Sequence, residues 1–295
     1  MATNGQINPA VVEHRYELRN RYIFRGKLVM QTALHIGGGK VTLSSSDSPV
    51  VLTPDQKPFI PGSSFKGALR STVEKLAATL PGFSTCALIE YTREAWTTEQ
   101  NNGRKIEDIC PTVRQWHIAE LRRNSQTPKQ TEEINRQVLE KLCDTCRLFG
   151  SPYTAARLNV SDLYIPEEVW SGVIQTRDGV AIDRDSEKAR DRLKYDFEVV
   201  PASATFTMEI VLENAEPADL QLVCVGLSEY MQGFGVIGGK RSRGLGVAKL
   251  EEDEFTVDAL ELVGKGIEDT DRRQRLQDYL VSREFTPGRF SGSDF

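Results

Sequence analysis

The stretch Tyr22-Ile-Phe-Arg-Gly-Lys-Leu-Val-Met-Gln-Thr-Ala-Leu-His35 is rich in strand-forming residues and alternates, imperfectly, between apolar and polar side chains. Such alternation is typical of a half-buried β-strand, because successive side chains point to opposite faces of a sheet. The glycines that follow, Gly37-Gly38-Gly39, end the pattern. The stretch therefore predicts a long first strand.

After a short apolar strand at 49–52, two helices and three further strands are predicted from the spacing of apolar residues along the rest of the chain. A serine after Pro61-Gly62 is the expected N-cap of the first helix. The resulting order of strand, helix, strand, strand, helix, strand is the ferredoxin-like (RRM-like) pattern of an α+β fold, whose open sheet often binds RNA. These later elements are a helix after Pro61, strands at 156–165 and 199–213, a helix at 217–232 and a strand at 247–250.

Three segments stand apart from this core, which is expected to be discontinuous and to cover residues 18–81 and 155–250. Residues 82–154 contain four of the five cysteines and one charged helical pattern at about 131–142, which indicates an insertion. Residues 174–198 carry six basic and seven acidic side chains and are interpreted as an exposed arm. Residues 251–295 are predicted to form an acidic C-terminal extension.

Composition is that of an ordinary globular protein, with 39% hydrophobic and 27% charged residues. No apolar run approaches the roughly 20 residues that span a bilayer, and the polar residues 1–8 lack the layout of a signal peptide. A cytosolic location without membrane association is therefore expected, and a disulfide framework is not.

The net charge of −5 gives no hint of nucleic-acid binding, but the charges are unevenly distributed. Residues 19–75 hold nine basic and three acidic side chains, whereas residues 251–295 hold twelve acidic and six basic ones. This asymmetry indicates one anion-binding face. Chance unevenness of solvated charge is the alternative interpretation.

Two basic motifs are suited to phosphate binding. In Pro61-Gly-Ser-Ser-Phe-Lys-Gly-Ala-Leu-Arg70, a helix start with free N–H groups attracts anions, and two cations four residues apart share one helical face. In Gly238-Gly-Lys-Arg-Ser-Arg-Gly-Leu-Gly246, glycines free the backbone to follow a ligand and cations lie between them. An ordinary capped helix and a flexible hairpin are the respective alternatives. The candidate RNA-binding residues are Ser63, Ser64, Lys66, Arg70, Gly239, Lys240, Arg241 and Arg243.

Asp47 lies in a polar loop between serines, where a turn-forming role is the ordinary interpretation. Its chemistry also allows cleavage of RNA, because an aspartate can act as general base for a 2′-hydroxyl or hold a divalent metal ion. His35 is a possible acid–base group, although a histidine at a strand end more often satisfies a buried hydrogen bond.

Four cysteines have the spacing of a tetrahedral zinc site. Cys143-Asp-Thr-Cys146 is a two-residue-spaced knuckle, and Cys86 and Cys110 lie upstream in the same polar segment. A metal cross-link would stabilise an insertion that lacks a core. His117 could replace Cys110, and a redox Cys-X-X-Cys is the rival interpretation. Cys224 is expected to be a core residue.

Five blocks together resemble the RAMP (repeat-associated mysterious protein) superfamily, and most closely the backbone subunits of type III CRISPR effector complexes (Csm/Cmr type). The glycine-rich blocks are shared widely in the superfamily, whereas Asp47–Val50 and the cysteine block narrow the resemblance to the type III backbone group. The matching blocks are His35–Gly39, Asp47–Val50, Ile60–Arg70, Cys143–Gly150 and Gly238–Gly246.

That resemblance implies a subunit that stacks along CRISPR guide RNA with other effector subunits and copies of itself. It implies a thumb-like hairpin, here at about 178–195, that flips base pairs out of the guide–target duplex at regular intervals. Ile182, Arg184 and Arg192 are its expected contact residues. Target RNA would be cut at each interval by an aspartate in the loop after the first strand, which is Asp47 in this sequence.

The sequence therefore predicts an RNA-guided, metal-dependent endoribonuclease subunit, with structural Zn²⁺ and with Mg²⁺ or another divalent ion for cleavage. A non-catalytic, architectural guide-RNA-binding subunit of the same complex is the alternative. Processing of guide precursors and zinc catalysis on a small substrate are further rivals. A closed four-cysteine site leaves no open coordination position, which argues against the last of these.

Overall fold

A computed structural model describes residues 18–38, 46–94, 96, 105–182, 189–261 and 272–274, and of residues 181–182, 189–194, 260–261 and 272–274 it describes the backbone alone. The strands are β1 Asn20–Met30, β2 Phe59–Ile60, β3 Leu158–Val160, β4 Leu163–Tyr164, β5 Gln175–Ile182, β6 Ala189–Val199, β7 Thr205–Glu213, β8 Gly235–Val236, β9 Val247–Leu250, β10 Thr256–Glu261 and β11 Arg272–Gln274. The α-helices are α1 Gly62–Ala77, α2 Gln115–Asn124, α3 Pro128–Glu140, α4 Asp144–Phe149 and α5 Pro217–Met231. Short 3₁₀ turns occur at Ile106–Asp108, Pro111–Val113, Glu167–Val169 and Arg241–Arg243.

The fold is α+β, and its main feature is an antiparallel sheet of nine described strands around β1. Along one edge β1 pairs with β7 over nearly its whole length. Along the other edge it pairs with β9 near its C-terminal end and with β10 near its N-terminal end. β7 in turn pairs with β3 and β4. Strands distant in sequence therefore lie side by side, with β1 at the centre.

The predicted first strand is confirmed, and its alternation explains which face is buried. Tyr22, Phe24, Leu28 and Met30 are all buried and share one face of β1. Gly26 interrupts this row, and a Cβ there would lie only 3.0 Å from the ring of Phe255. The strand ends at Met30, whereas the prediction extends it to His35. The main-chain N–H groups of Gln31 and Thr32 both donate to the Val247 carbonyl of β9, which interrupts the regular strand pairing.

Helices α1 and α5 cover this face of the sheet, and both confirm predicted helices. The two pack closely, because Gly226 of α5 admits the side chains of Leu69 and Val73 from α1. The predicted serine N-cap is wrong. Pro61 is the N-cap residue without a side-chain cap bond, and the Gly62 N–H donates instead to the Asp162 carboxylate at 2.7 Å.

The cysteine-containing segment 82–154 holds more helix than the single predicted pattern. Helix α3 corresponds to that pattern, and its N-terminus has a capping box formed by Thr127 and Gln130. Helices α2 and α4 were not expected. Each is short, and α2 buries only Ile118, so that its sequence shows little apolar periodicity.

The predicted exposed arm is a two-stranded antiparallel hairpin, β5–β6, separate from the main sheet. Its base is not exposed, because Phe197 and Val199 are buried. The segment joining the two strands, residues 183–188, lies outside the described residues.

The core is expected to end at residue 250, whereas the sheet continues through β10 to Glu261. Phe255 and Val257 contribute to the hydrophobic core. The predicted extension at 262–271 and 275–295 lies outside the described part of the chain.

Among the described residues, no helix combines the length and the apolar character that crossing a bilayer requires.

Candidate functional site

Asp47 is exposed in a short loop, Ser46–Ser48, which we call the Asp47 loop. The loop leads into an antiparallel bridge between Gly37 and Val50. Its aspartate is joined to Asp196 of β6 by two reciprocal hydrogen bonds. The Asp47 main-chain N–H donates to Asp196 Oδ1 at 2.6 Å, and the Asp196 main-chain N–H donates to Asp47 Oδ2 at 3.1 Å. The candidate catalytic residue is therefore tied to the base of the hairpin.

Glu198, two residues further along β6, is on the same face of the strand and holds the same loop region. Its main-chain N–H donates to the Ser48 carbonyl at 3.0 Å, and its carboxylate accepts from the Val50 N–H at 3.0 Å. Because side chains alternate along a strand, the adjacent residues Tyr195 and Phe197 face the other way.

The glycine-rich loop, Gly238–Gly246, lies against this second face of β6. The ammonium of Lys240 is 4.3 Å from the ring centroid of Phe197 and 5.1 Å from that of Tyr195. Arg243 donates to the Tyr195 hydroxyl and lies over the same ring. These cation–π contacts place two of the predicted RNA-binding cations on a defined aromatic support.

The rest of the glycine-rich loop is anchored to His35, in the segment that follows β1. The Gly239 N–H donates to the His35 carbonyl at 2.9 Å. Arg241 donates within the loop, to the carbonyl of Gly238 at 3.0 Å. Lys240 is in the left-handed region, with φ of +57°.

His35 itself is buried, and both ring nitrogens have partners. Its Nδ1 is 2.7 Å from the Glu198 carbonyl oxygen, which can only accept, so that Nδ1 carries a proton. Its Nε2 is 3.3 Å from Ser48 Oγ. The ring contacts Phe197 edge-on. This arrangement favours the structural interpretation of His35, as a connection between the Asp47 loop and β6.

The basic residues of α1 have different surroundings. Lys66 is half-buried and donates to the Leu158 carbonyl at 2.8 Å, and burial lowers the pKa of its ammonium. Arg70 pairs with Glu74 at 2.8 Å and also donates to the Gly150 carbonyl. These contacts join α1 to β3 and to the cysteine-containing segment.

The two serines of this motif begin the same helix. Ser63 is exposed, and the Ser64 N–H donates to the Pro61 carbonyl at 2.8 Å. That Ser63, Ser64, Lys66 and Arg70 contact guide phosphates stays a prediction.

The four predicted metal ligands come together in one cluster. Their Sγ atoms all lie within 4.8 Å of one another, and Cys86 Sγ is 3.5 Å from Cys146 Sγ. A tetrahedral zinc site with Zn–S bonds of about 2.3 Å places its sulfurs about 3.8 Å apart. The arrangement can therefore hold a metal ion such as zinc. We call it the four-cysteine cluster: Cys86, Cys110, Cys143 and Cys146.

A cation lies beside the four-cysteine cluster. Hydrogen bonds among the thiols lower the pKa of Cys110 and raise that of Cys86, and the Arg70 guanidinium, whose charge favours a thiolate, lies 3.5 Å from Cys146 Sγ. His117 is not part of the group. Its Nδ1 faces Arg114 at 2.8 Å, and burial together with the neighbouring Arg114 charge lowers its pKa.

The expected thumb residues are described only in part. The backbone of Ile182 belongs to β5 and that of Arg192 to β6, but their side chains and all of Arg184 lie outside the described residues.

Sequence reasoning missed Tyr195, Asp196, Phe197 and Glu198, which join the Asp47 loop to the glycine-rich loop. The signal was present, because Tyr-Asp-Phe-Glu alternates aromatic and acidic residues with the period of a strand.

Comparisons with known proteins identify the family of this chain. A family model described as the RAMP superfamily matches residues 27–249. A protein of Methanocaldococcus jannaschii named CRISPR system Cms endoribonuclease Csm3 is 24% identical over 257 residues, which are 80% of this chain and 80% of that relative. Proteins of the same name match shorter segments. The one from Enterococcus italicus is 48% identical over 60 residues, or 28% of its length. The one from Methanothermobacter thermautotrophicus is 41% identical over 59 residues, or 24% of its length.

Proposed function

This chain belongs to the RAMP superfamily, and from that membership we propose that it is a CRISPR guide-RNA-binding backbone subunit of a type III effector complex. We propose further that Asp47 promotes cleavage of guide-paired target RNA at regular intervals. The observation that carries the proposal is the position of β6, which contacts the Asp47 loop on one face and the cationic glycine-rich loop on the other. The relatives named as endoribonucleases support the same activity.

Guide RNA binds through its phosphates in this proposal. Lys240, Arg241 and Arg243 supply positive charge, and the glycines allow the backbone to approach the strand. The aromatic support under Lys240 and Arg243 reduces the conformational freedom that these long side chains would lose on binding. Lys66 and Arg70 are second candidates, because a phosphate would have to replace their present partners.

Asp47 has the exposure and the chemistry for cleavage. An exposed carboxylate can accept the proton of a 2′-hydroxyl while the 2′-oxygen attacks the adjacent phosphate. The attack forms a 2′,3′-cyclic phosphate and breaks the bond to the 5′-oxygen, which leaves and takes a proton from water. The carboxylate is also an oxygen ligand of the kind that Mg²⁺ prefers. A divalent ion held there would stabilise the developing charge on the phosphate. The hydrogen bond from Asp196 uses only one oxygen, Oδ2, of the Asp47 carboxylate.

The architecture proposed for this role is a ferredoxin-like core with a zinc-binding insertion and a thumb. The strand order β9-β1-β7-β3, antiparallel throughout and with α1 and α5 on one face, supports the core. The four-cysteine cluster supports structural Zn²⁺ in the insertion. The β5–β6 hairpin is the proposed thumb, with Ile182, Arg184 and Arg192 as its proposed contact residues. The proposed partners of the whole chain are guide RNA, target RNA, other effector subunits and copies of this chain.

The test is an Asp47→Ala variant in a complex reconstituted with guide RNA and partner subunits. We expect normal assembly and normal affinity for complementary target RNA, with loss of cleavage at the positions this subunit covers, because the base or metal ligand is absent. Cleavage products are resolved on a sequencing gel, and binding is measured separately.

The matched control is Asp55→Ala, which removes an exposed aspartate in the next turn of the chain. Unchanged cutting by the Asp47→Ala complex would exclude the catalytic role and leave the architectural alternative, in which this chain binds guide RNA and another subunit cuts.

A further inference from the structure

The acidic residues of β6 are not used by the proposed guide contacts or by the proposed chemistry. Asp196 is the one closest to the candidate catalytic residue. Both hydrogen bonds that the described residues give Asp47 involve Asp196. In each of them the main-chain N–H of one residue donates to the carboxylate of the other.

We propose that Asp196 is a positioning residue, which holds the Asp47 loop in the place where its carboxylate can act on the target strand. The inference rests on the proposed function, because it requires Asp47 to promote cleavage. Asp196 does not itself contact RNA or a metal ion in this proposal.

The geometry of the pair explains why Asp196 suits this role. Asp196 belongs to β6, an 11-residue strand that pairs with β5. Phe197 and Val199 of the same strand are buried. Asp196 is therefore a firm attachment point, whereas Asp47 is exposed in a short loop. The 2.6 Å bond from the Asp47 N–H to a carboxylate is charge-assisted, and such bonds are shorter and stronger than neutral ones.

Contacts from Glu198 and His35 reach Ser48 and Val50 rather than Asp47, through the Glu198 main chain, the Glu198 carboxylate and the His35 ring. Loss of the Asp196 carboxylate would remove the hydrogen bond that holds the Asp47 main chain and leave the Asp47 side chain with the Asp196 main-chain N–H alone, so that the carboxylate is less firmly placed. In-line attack on a phosphate is sensitive to such displacement, and about 1 Å of misplacement can cost on the order of 100-fold in rate.

Three substitutions separate a positioning role from a role of the negative charge. Asp196→Asn keeps an oxygen acceptor at the same distance from the backbone but removes the charge. Asp196→Glu keeps the charge but moves the acceptor by one methylene. Asp196→Ala removes both. The N–H donated to Asp47 is main chain and is present in all three.

The experiment measures single-turnover cleavage at saturating target RNA, and target affinity separately, in reconstituted complexes. We expect Asp196→Ala to reduce the cleavage rate on the order of 10- to 100-fold with unchanged target affinity. We expect Asp196→Asn to retain most of the rate and Asp196→Glu to retain less than Asp196→Asn. Asp253→Ala, an exposed aspartate in the turn between β9 and β10, is the control and should cut normally.

Three outcomes would overturn the proposal. They are a wild-type rate in Asp196→Ala, an Asp196→Glu complex that cuts faster than Asp196→Asn, and a change in target affinity that accounts for the lost rate. If the Asp196→Ala complex does not assemble, the cleavage rates of Asp196→Asn and Asp196→Glu still test the proposal. Asp47→Ala is run in parallel. If it cuts, the proposed function fails together with the inference, whereas an inactive Asp47→Ala beside a fully active Asp196→Ala contradicts the inference alone.

Discussion

At the scale of single residues, two glycines of the glycine-rich loop have similar backbones but different surroundings. Gly244 and Gly246 both have left-handed φ angles, of +79° and +85°. A Cβ at Gly244 would meet nothing within 4 Å, whereas a Cβ at Gly246 would lie 1.9 Å from the carbonyl oxygen of Ile237. Glycine is therefore required at Gly246 by close approach of the main chain as well as by φ.

We expect Gly246→Ala to be much more destabilising than its matched control, Gly244→Ala. The control should cost roughly 1–2 kcal/mol, which is the strain of a left-handed alanine. Gly246→Ala should cost more than about 3 kcal/mol, because the backbone of the loop must also move. Urea unfolding of the two variants measures the difference, and equal free energies of unfolding would contradict this account.

Lys66 and Arg70 show why residue type alone did not settle the proposed contacts. Their spacing correctly placed them on one face of a helix. Sequence could not reveal that the Leu158 and Gly150 carbonyls lie opposite that face, because these partners come from other parts of the chain. The pair of Arg70 with Glu74, in contrast, has the i, i+4 spacing of neighbours on one helix.

At the scale of elements, helix α4 brings two of the four cysteines into position. Cys143 is its N-cap residue, and Cys146 follows within the first turn. Cys86 and Cys110 approach from the chain segments before α2. The knuckle was readable from its spacing, whereas the approach of the distant pair depended on how the insertion folds.

We expect zinc to be bound stoichiometrically and to stabilise the insertion. Cys143→Ser should lose the metal and lower the melting temperature, as should chelation of the wild-type protein, because the free energy of binding contributes to folding. Cys224→Ser, at a buried cysteine outside the four-cysteine cluster, is the matched control and should keep its zinc. Metal analysis and thermal unfolding provide the measurements, and full zinc retention by Cys143→Ser would contradict the ligand set.

Strand β6 is the element that sequence reasoning interpreted least completely. Its charge-rich sequence predicted an exposed arm, because charged residues usually mark solvent. The alternation of Tyr195 to Glu198 instead gives the base of the strand an aromatic face, which contacts the glycine-rich loop, and an acidic face, which contacts the Asp47 loop.

At the scale of the whole molecule, the fold brings the segment that follows β1, the hairpin base and the glycine-rich loop to one place. Leu34 bridges to Val200 next to β6, and the Ala33 carbonyl accepts from the Gly246 N–H at 2.9 Å. Residues more than 190 positions apart, Asp47 and Lys240, are consequently connected through one strand.

This arrangement predicts an electrostatic contribution of the glycine-rich loop to guide binding. We expect the double variant Lys240→Ala/Arg243→Ala to bind guide RNA more weakly and with a smaller salt dependence. The slope of log affinity against log salt should fall by roughly 0.7 for each lost phosphate contact on single-stranded RNA. Filter binding over a salt series measures the slope. Lys129→Ala, at an exposed position of α3, is the control. An unchanged slope in the double variant would contradict the proposed phosphate contacts of the glycine-rich loop.

The sequence by itself determined the local elements and the residue types with suitable chemistry: the first strand, helices α1 and α5, the cysteine knuckle, the cationic glycine-rich loop and Asp47. Periodicity, turn residues and ligand spacing are local properties, so that one sequence suffices to read them. Only the tertiary structure decided which of these residues meet. The pairing of Asp47 with Asp196, the support of Lys240 by Phe197 and the contact of Arg70 with the Gly150 carbonyl all depend on strand order and packing between distant segments, which no local pattern records.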